Sequence, residues 1–249
     1  MGFEEKIENG KVTYSDERFD FIEAEGACLI DKSRHYGLTV REVKPVVEEE
    51  YHLGGNGHGV QSYFSARHGK EIEVPGDPLS WLPSLWEKLI KENDVKSVLD
   101  VGSGIGYSAK WFADRGLQST AIEGLPYNVK NAVHPTVLHD LSRSAYTEGE
   151  YDMVWCCEVA EHVDENAIEY FLDTVTNCKL LALTAAPPGD GGHHHVNCKP
   201  VEYWIDKVQS RGMRIDVQKT NECRAISEAI GPRVDSHFMR NGMIFCRDE

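Results

Sequence analysis

Three glycines, Gly102, Gly104 and Gly106, stand within five residues in the stretch KSVLDVGSGIGYSAKWFADRG, between an apolar run that carries Asp100 and a helical pattern. A strand, a tight glycine turn and a helix start, in that order, cradle a ligand at a helix N-terminus. The dinucleotide fingerprint needs its third glycine at position 107, where this chain has Tyr107. The loop is GxGxG rather than GxGxxG, so the cradle is built for a different ligand.

Acidic residues in phase with the loop narrow the choice. Glu123 closes the next strand, 21 residues after Gly102, where a carboxylate accepts the hydrogen bonds of a ribose diol. Asp140, followed by Leu141, ends the third strand and offers a carboxylate and an apolar side chain to an adenine ring and its amino group. Asp100 sits too close to the loop to welcome a diphosphate but is well placed to hold a cationic amino group. With Glu158 at the end of the fourth strand, four carboxylates ring the loop and suit a ligand with positive charge. A sulfonium nucleoside, S-adenosylmethionine, has the ribose, the adenine and the charge.

At this point the chain resembles the class I S-adenosylmethionine-dependent methyltransferases of small-molecule type. VLDVGSGIG looks like their first motif, AIEG their second-strand acid, HDL their adenine contact and YDMVWCCEVAEHV their fourth-strand motif. The resemblance covers about residues 80 to 249 and rests on the four elements together. It implies an α/β fold, a doubly wound, mostly parallel Rossmann-like sheet. It also implies S-adenosylmethionine as cofactor, held by Asp100, Gly102, Ser103, Gly104, Gly106, Glu123, Gly124, Asp140, Leu141 and Glu158. The segment PPGDGGHHHVNCKPVEYWI resembles one found after the fifth strand in a subset of these enzymes.

That segment supplies the candidate catalytic groups. Three successive histidines, His193, His194 and His195, cannot all point one way, so at most two face a site at the carboxyl edge. An imidazole titrates near operating pH and can take a proton from an acceptor hydroxyl or orient it, duties expected of His194 or His195 and, from the strand-to-helix junction, of His162. A purely structural role for each is the competing reading. The histidine run favours oxygen over nitrogen as acceptor atom. No metal is expected: although Asp190 is near, no spaced pair such as HxxxH accompanies the run.

The elements that position these residues follow from alternating periodicity. LSWLPSLWEKLIKEN places Leu82, Leu85, Trp86 and Leu89 on one helical face. After it come a strand at 97–101, a helix near 107–115, a strand at 119–124, a short helix PYNVKNAV and a strand at 136–140. Strand 151–159, helix 165–177, strand 179–186, helix 200–212 and strands 214–219 and 242–247 complete the chain. Strands alternating with helices mean a parallel sheet covered on both faces. The last two strands, with no clear helix between them, predict an antiparallel edge hairpin. Trp81, Trp86, Trp111, Trp155 and Trp204 fall on apolar faces and are expected in the core. Residues 1–76 are polar and irregular and read as an N-terminal extension to a domain at 77–249. The glycine-rich HLGGNGHGVQSYF within the extension is a candidate lid.

Composition bounds the rest. The 249 residues carry 26 Lys and Arg against 41 Asp and Glu, a formal net charge of -15 with no basic cluster. Nucleic acid, bound by neutralising phosphates, is therefore not expected as a partner. No apolar run approaches the roughly 18 residues of a membrane span, so no membrane is expected either. Seven cysteines without a CxxC pair, and no apolar signal core in MGFEEKIENGKV, point to free thiols and a cytoplasmic setting. The partner left is a small-molecule methyl acceptor. Two other functions compete: a catalytically inactive nucleoside-binding or regulatory module, and a nicotinamide-dependent oxidoreductase, against which Tyr107 argues.

Overall fold

The structure is a computed structural model, described over residues 4–8, 11–15, 19–24, 26–31, 60–65, 70–192, 194–229 and 235–247, with side chains from Glu73 onward. The chain divides into two compact units, Met1–Gly54 with Gly191–His193 and Gly55–Asp190 with His194–Glu249. The smaller carries a four-stranded antiparallel meander, β1 (Glu4–Glu8), β2 (Lys11–Ser15), β3 (Phe19–Ala24) and β4 (Gly26–Asp31), paired in chain order. The segment GGNGHG lies outside the described residues. The larger unit opens with an antiparallel pair, β5 (Val60–Ser65) and β6 (Lys70–Pro75).

The body of the larger unit is one seven-stranded sheet. Its elements are α1 (Pro83–Glu92), β7 (Ser97–Val101), α2 (Tyr107–Asp114), β8 (Gln118–Glu123), α3 (Pro126–Lys130), β9 (Thr136–Leu138), β10 (Tyr151–Cys156), α4 (Ile168–Val175) and β11 (Cys178–Leu183). They continue with α5 (Val201–Gln209), β12 (Met213–Ile215), α6 (Val217–Ile226), α7 (His237–Asn241) and β13 (Met243–Arg247). Strand order is β12-β13-β11-β10-β7-β8-β9, with β7 parallel to both β8 and β10. The order reverses beside β7, so a crevice forms at its carboxyl end, where doubly wound sheets bind ligands.

Both faces of the sheet are buried, and alternation along each strand sends side chains to two cores. Leu99, Val154, Leu181 and Phe245 meet Phe171, Leu172 and Trp204 on one side. Val98, Met153, Trp155 and Ile244 meet Leu85, Trp86, Phe112 and Phe238 on the other. Trp86 is fully buried at the centre of an aromatic cluster, with ring centroids 5.0 Å from Trp111, 5.1 Å from Trp81 and 5.5 Å from Trp155. All five tryptophans belong to or pack on these two cores.

The antiparallel pair at the end of the sheet is present, but a turn does not join it. β13 runs between β11 and β12, antiparallel to both, and the residues VQK begin α6 instead of extending β12. The Asp216 carboxylate decides this: it accepts from Lys219 N at 2.9 Å, an N-cap that starts a helix where the β-type pattern would continue. β10 is also shorter than its apolar pattern. It ends at Cys156, which frees Cys157 to Val159 for the site loop.

Candidate active site

The glycine turn after β7 has the geometry the sequence requires. Gly102, Gly104 and Gly106 all take positive φ, at 67°, 57° and 81°. The carbonyl of Ile122 accepts from Gly102 N and Ser103 N at 3.0 and 3.1 Å, which holds the turn against β8. A Cβ on Gly102 would lie 2.3 Å from the Val159 side chain, whereas one on Gly104 would meet nothing within 4 Å. Gly102 is therefore needed for packing, and Gly104 borders open space. The Ser103 hydroxyl is buried there with no hydrogen-bond partner among the described residues.

Glu123, buried at the end of β8, lies against this turn. Its Oε2 accepts from Gly104 N and its Oε1 from Leu125 N, both at 2.8 Å. The carboxylate is an acceptor-only group at the edge of the turn, where a ligand's hydroxyl groups would compete with these amides. Burial pushes its pKa up, opposed by the Leu125 and Gly104 amides and the Asn128 side chain. Asp100 is 2% exposed, and burial pushes its carboxyl up to about 7, although Ser108 donates to it. Gly124, exposed after β8, has only the His139 carbonyl near a notional Cβ, at 3.7 Å.

Asp140 stands two residues beyond the end of β9. Its Oδ1 accepts from Ser142 N and Ser142 Oγ at 2.9 and 2.6 Å, and its Oδ2 pairs with Arg143 at 3.0 Å. These bonds, Ser142's first, hold the carboxyl below its usual range. The carboxylate is engaged in its own turn, while Leu141 packs partly buried on the core.

The fourth-strand motif holds the densest electrostatics. Glu158 has a left-handed backbone, φ 57°, unusual for a side chain with a Cβ, and Thr184 fixes it from both sides. Glu158 N donates to Thr184 Oγ1, which donates in turn to Glu158 Oε1, each at 2.8 Å. Glu158 Oε2 lies 2.9 Å from His237 Nδ1, and Asp77 Oδ2 lies 3.5 Å from His237 Nε2. The Arg240 guanidinium also reaches Nδ1, at 2.9 Å. Burial alone would lower the His237 pKa, but the two carboxylates outweigh it and raise it to about 9. In return, against their own burial, Asp77 and Glu158 are held below the ordinary carboxylate range. Neither His237 nor Asp77 was singled out from the sequence. Asp77 reads there as a turn residue in PGDP, and His237 falls in a helix with no motif around it.

Glu161, His162 and His195 meet beyond the ends of β10 and β11. A 3₁₀ turn over Ala160–His162 sets Glu161 inward, fully buried, with neither carboxylate oxygen hydrogen-bonded. Burial, and then the charge of Glu158, push its carboxyl up to about 8. The rings of His162 and His195 stand edge to face at 4.9 Å. His162 Nδ1 lies 3.2 Å from the His194 carbonyl and His195 Nδ1 lies 3.1 Å from the Asp190 carbonyl. Burial, and then His195, lower the His162 pKa to about 4, so the ring is neutral near pH 7. Of the three candidate histidines, two rings are thus brought together. His194 is exposed, in a left-handed conformation with φ 54°, and its carbonyl anchors His162.

Comparisons with known proteins point to methyltransferases. Residues 73–181 match the family described as Methyltransferase domain. The chain is 28% identical over 161 residues to the ubiquinone biosynthesis O-methyltransferase of Rickettsia conorii, covering 61% of this chain and 53% of that protein. It is 29% identical over 111 residues to the chloroplastic tocopherol O-methyltransferase of Arabidopsis thaliana, covering 40% and 30%. The chain spans about half the length of the first of these relatives and less of the second. A solved structure, the sugar N-methyltransferase KedS8 from a Streptoalloteichus species, shares the fold, with a TM-score of 0.51 at 13% identity over 70% of this chain and 89% of that one. Among the described residues no helix is long and apolar enough to cross a membrane. Residues 73–181 of the larger unit are thus similar to a methyltransferase domain, and the unit has the Rossmann-like fold.

Proposed function

We propose that the protein transfers a methyl group from S-adenosylmethionine to a small molecule, with an oxygen as acceptor atom. The observation that carries the reading is Glu123 lying under Gly104, with open space above the glycine. The bound cofactor would supply a methyl group on a positively charged sulfur, an electrophile with its leaving group attached. Ser103, buried without a partner, offers one more hydroxyl to the nucleoside. Glu158 supplies negative charge beyond the end of β10, and Asp100, its carboxyl pushed up to about 7, stands near the end of β7.

The protein's own work is then mostly alignment. Positioning can supply about 7 to 11 kcal/mol, while a placed base adds a factor of roughly 10² to 10⁴. His162 and His195 are the groups placed to handle an acceptor hydroxyl. Both Nδ1 atoms face backbone carbonyls, so both Nε2 atoms carry a lone pair when the rings are neutral. Two O-methyltransferases among the relatives favour oxygen, although the overlap is partial. A cytoplasmic setting fits the six free thiols among the described residues.

Incubation with isotopically labelled S-adenosylmethionine and a pool of small metabolites tests the reading. Label is expected in a small product, with S-adenosylhomocysteine formed in equal amount. Binding of S-adenosylmethionine with no labelled product from any pool would favour the inactive module, and preferential binding of NAD would defeat the cofactor assignment.

A further inference from the structure

We propose that Glu161, His162 and His195 form a divalent-cation site at the carboxyl edge of the sheet. One potential ligand atom from each lies within 4.8 Å of the other two. Ligands bound at about 2.1 Å to one ion stand roughly 3 to 3.5 Å apart, so small side-chain rotations close the set without moving the backbone.

Glu161 is the first reason to expect an ion. It is fully buried and neither oxygen has a hydrogen-bond partner. A buried carboxyl group without a hydrogen-bond partner is costly, and a coordinated cation satisfies it. The two imidazoles beside it are the right companions, being donors of lone pairs that cannot neutralise a carboxylate except as cations.

The tautomers are the second reason. Metal-binding histidines commonly donate the other ring N–H to a carbonyl or carboxylate, which fixes the ring and aims the remaining nitrogen. His162 and His195 each hold Nδ1 against a main-chain carbonyl, that of His194 and that of Asp190. The left-handed turn at His194 presents the first of these carbonyls, so a strained backbone position holds the His162 ring in place. Glu161 also ties the two segments together, since its own carbonyl accepts from Val196 N and Asn197 N at 3.0 and 2.9 Å.

Two imidazoles and one carboxylate suit a first-row ion such as zinc, cobalt, manganese or iron better than calcium or magnesium. Three protein ligands leave positions open for water or a substrate oxygen. That last step rests on the oxygen-acceptor reading above: there the imidazoles would act on the acceptor through the ion, which lowers the pKa of a bound hydroxyl. Cation binding itself is read without acceptor or methyl donor. The ligand set differs from what the histidine run alone suggests, because two of its three members come from the fourth-strand motif.

The test uses tag-free full-length protein, stripped with a chelator and dialysed, then titrated with Co²⁺ by calorimetry and visible absorption. One cobalt per chain is expected, with affinity lost by ~100-fold or more in His162→Ala, His195→Ala and Glu161→Gln. Cys198→Ser is the control for a neighbouring thiol, which lies 3.7 Å from His195 Nδ1, and should bind cobalt as the parent does. Cation-free Glu161→Gln should melt no lower than cation-free parent, since it replaces one buried group without a hydrogen-bond partner by another of the same size, and should gain nothing from cobalt. No saturable binding, equal affinity in the three variants, or a thiolate-to-cobalt band lost in Cys198→Ser would overturn the site. Binding of S-adenosylhomocysteine to the same preparations separates a failed ion site from a failed methyltransferase reading.

Discussion

Glu158 Oε2 lies 2.9 Å from His237 Nδ1, which ties the loop after β10 to the helix before β13. On the ring's other side Asp77 Oδ2 stands 3.5 Å from Nε2, so one imidazolium bridges two carboxylates from distant parts of the chain. A cation shared in this way holds Glu158 ionised beside the site, and burial together with that Glu158 charge pushes the neighbouring Glu161 carboxyl up to about 8.

The bridge should be visible as a pH-dependent stability. His237 has a folded pKa of about 9 against about 6.5 for a free histidine, so its contribution is whole below about pH 6.5 and lost as pH rises through about 9. Asp77 and Glu158 have lowered pKa values and contribute above the ordinary carboxylate range, losing their share as pH falls below it. The Arg240 guanidinium, 2.9 Å from Nδ1, adds to the lowering of the Glu158 pKa. Thermal melts of the parent should decline from pH 6.5 to 9. His237→Gln should lower stability by about 3 kcal/mol at pH 6.5 and flatten that decline. A parallel decline in the variant would remove His237 as its cause.

The glycine turn separates packing from binding. Gly104→Val places a branched side chain in open space, so the fold should survive at the left-handed cost of about 1 to 2 kcal/mol. S-adenosylhomocysteine binding should disappear in calorimetry, because the ligand needs the space that the side chain fills. Gly102→Ala should behave oppositely in kind, melting well below the parent because its Cβ meets Val159 at 2.3 Å. Normal ligand affinity in folded Gly104→Val would move the pocket elsewhere.

Glu123→Ala should weaken binding of S-adenosylmethionine and S-adenosylhomocysteine alike. Ribose hydroxyls left unpaired at a buried position cost roughly 1 to 3 kcal/mol, about 5- to 150-fold in affinity. The amides of Gly104 and Leu125 lose their acceptor in the same variant, so Glu123→Gln, which keeps two contact atoms, should fall between. Dissociation constants equal to the parent's in both variants would place Glu123 outside the cofactor's reach.

Legibility in the sequence followed the range of the interactions. The β7 turn, Glu123 and the parallel strands are written in local pattern, because glycine spacing and strand-end acids recur within some 30 residues. Two helices between β12 and β13 were obscured by a β-like VQK run, and the Asp216 cap that settles it is a side-chain bond with no hydrophobic signature. The Asp77 and His237 bridge spans most of the domain, and no spacing rule links its members. The Glu161, His162 and His195 cluster was half visible. Its residue types stood in EVAEHV and HHHVN, but only β10 lying beside β11 brings the two loops to one edge.

His162 and His195 should act as a pair. Their rings are 4.9 Å apart and their Nδ1 atoms are both held by carbonyls, so displacing one ring disturbs the other. Once an acceptor is identified, His162→Ala and His195→Ala should each lower turnover by roughly 10² to 10⁴. The double variant should lose little beyond the worse single, since groups that serve one step are not additive. Affinity for S-adenosylmethionine should stay within about threefold of the parent in all three, because neither ring is among the residues proposed to hold the cofactor. Losses that multiply in the double variant would mean separate roles. A raised Michaelis constant with unchanged turnover would mean that the rings orient the acceptor and take no part in removing its proton.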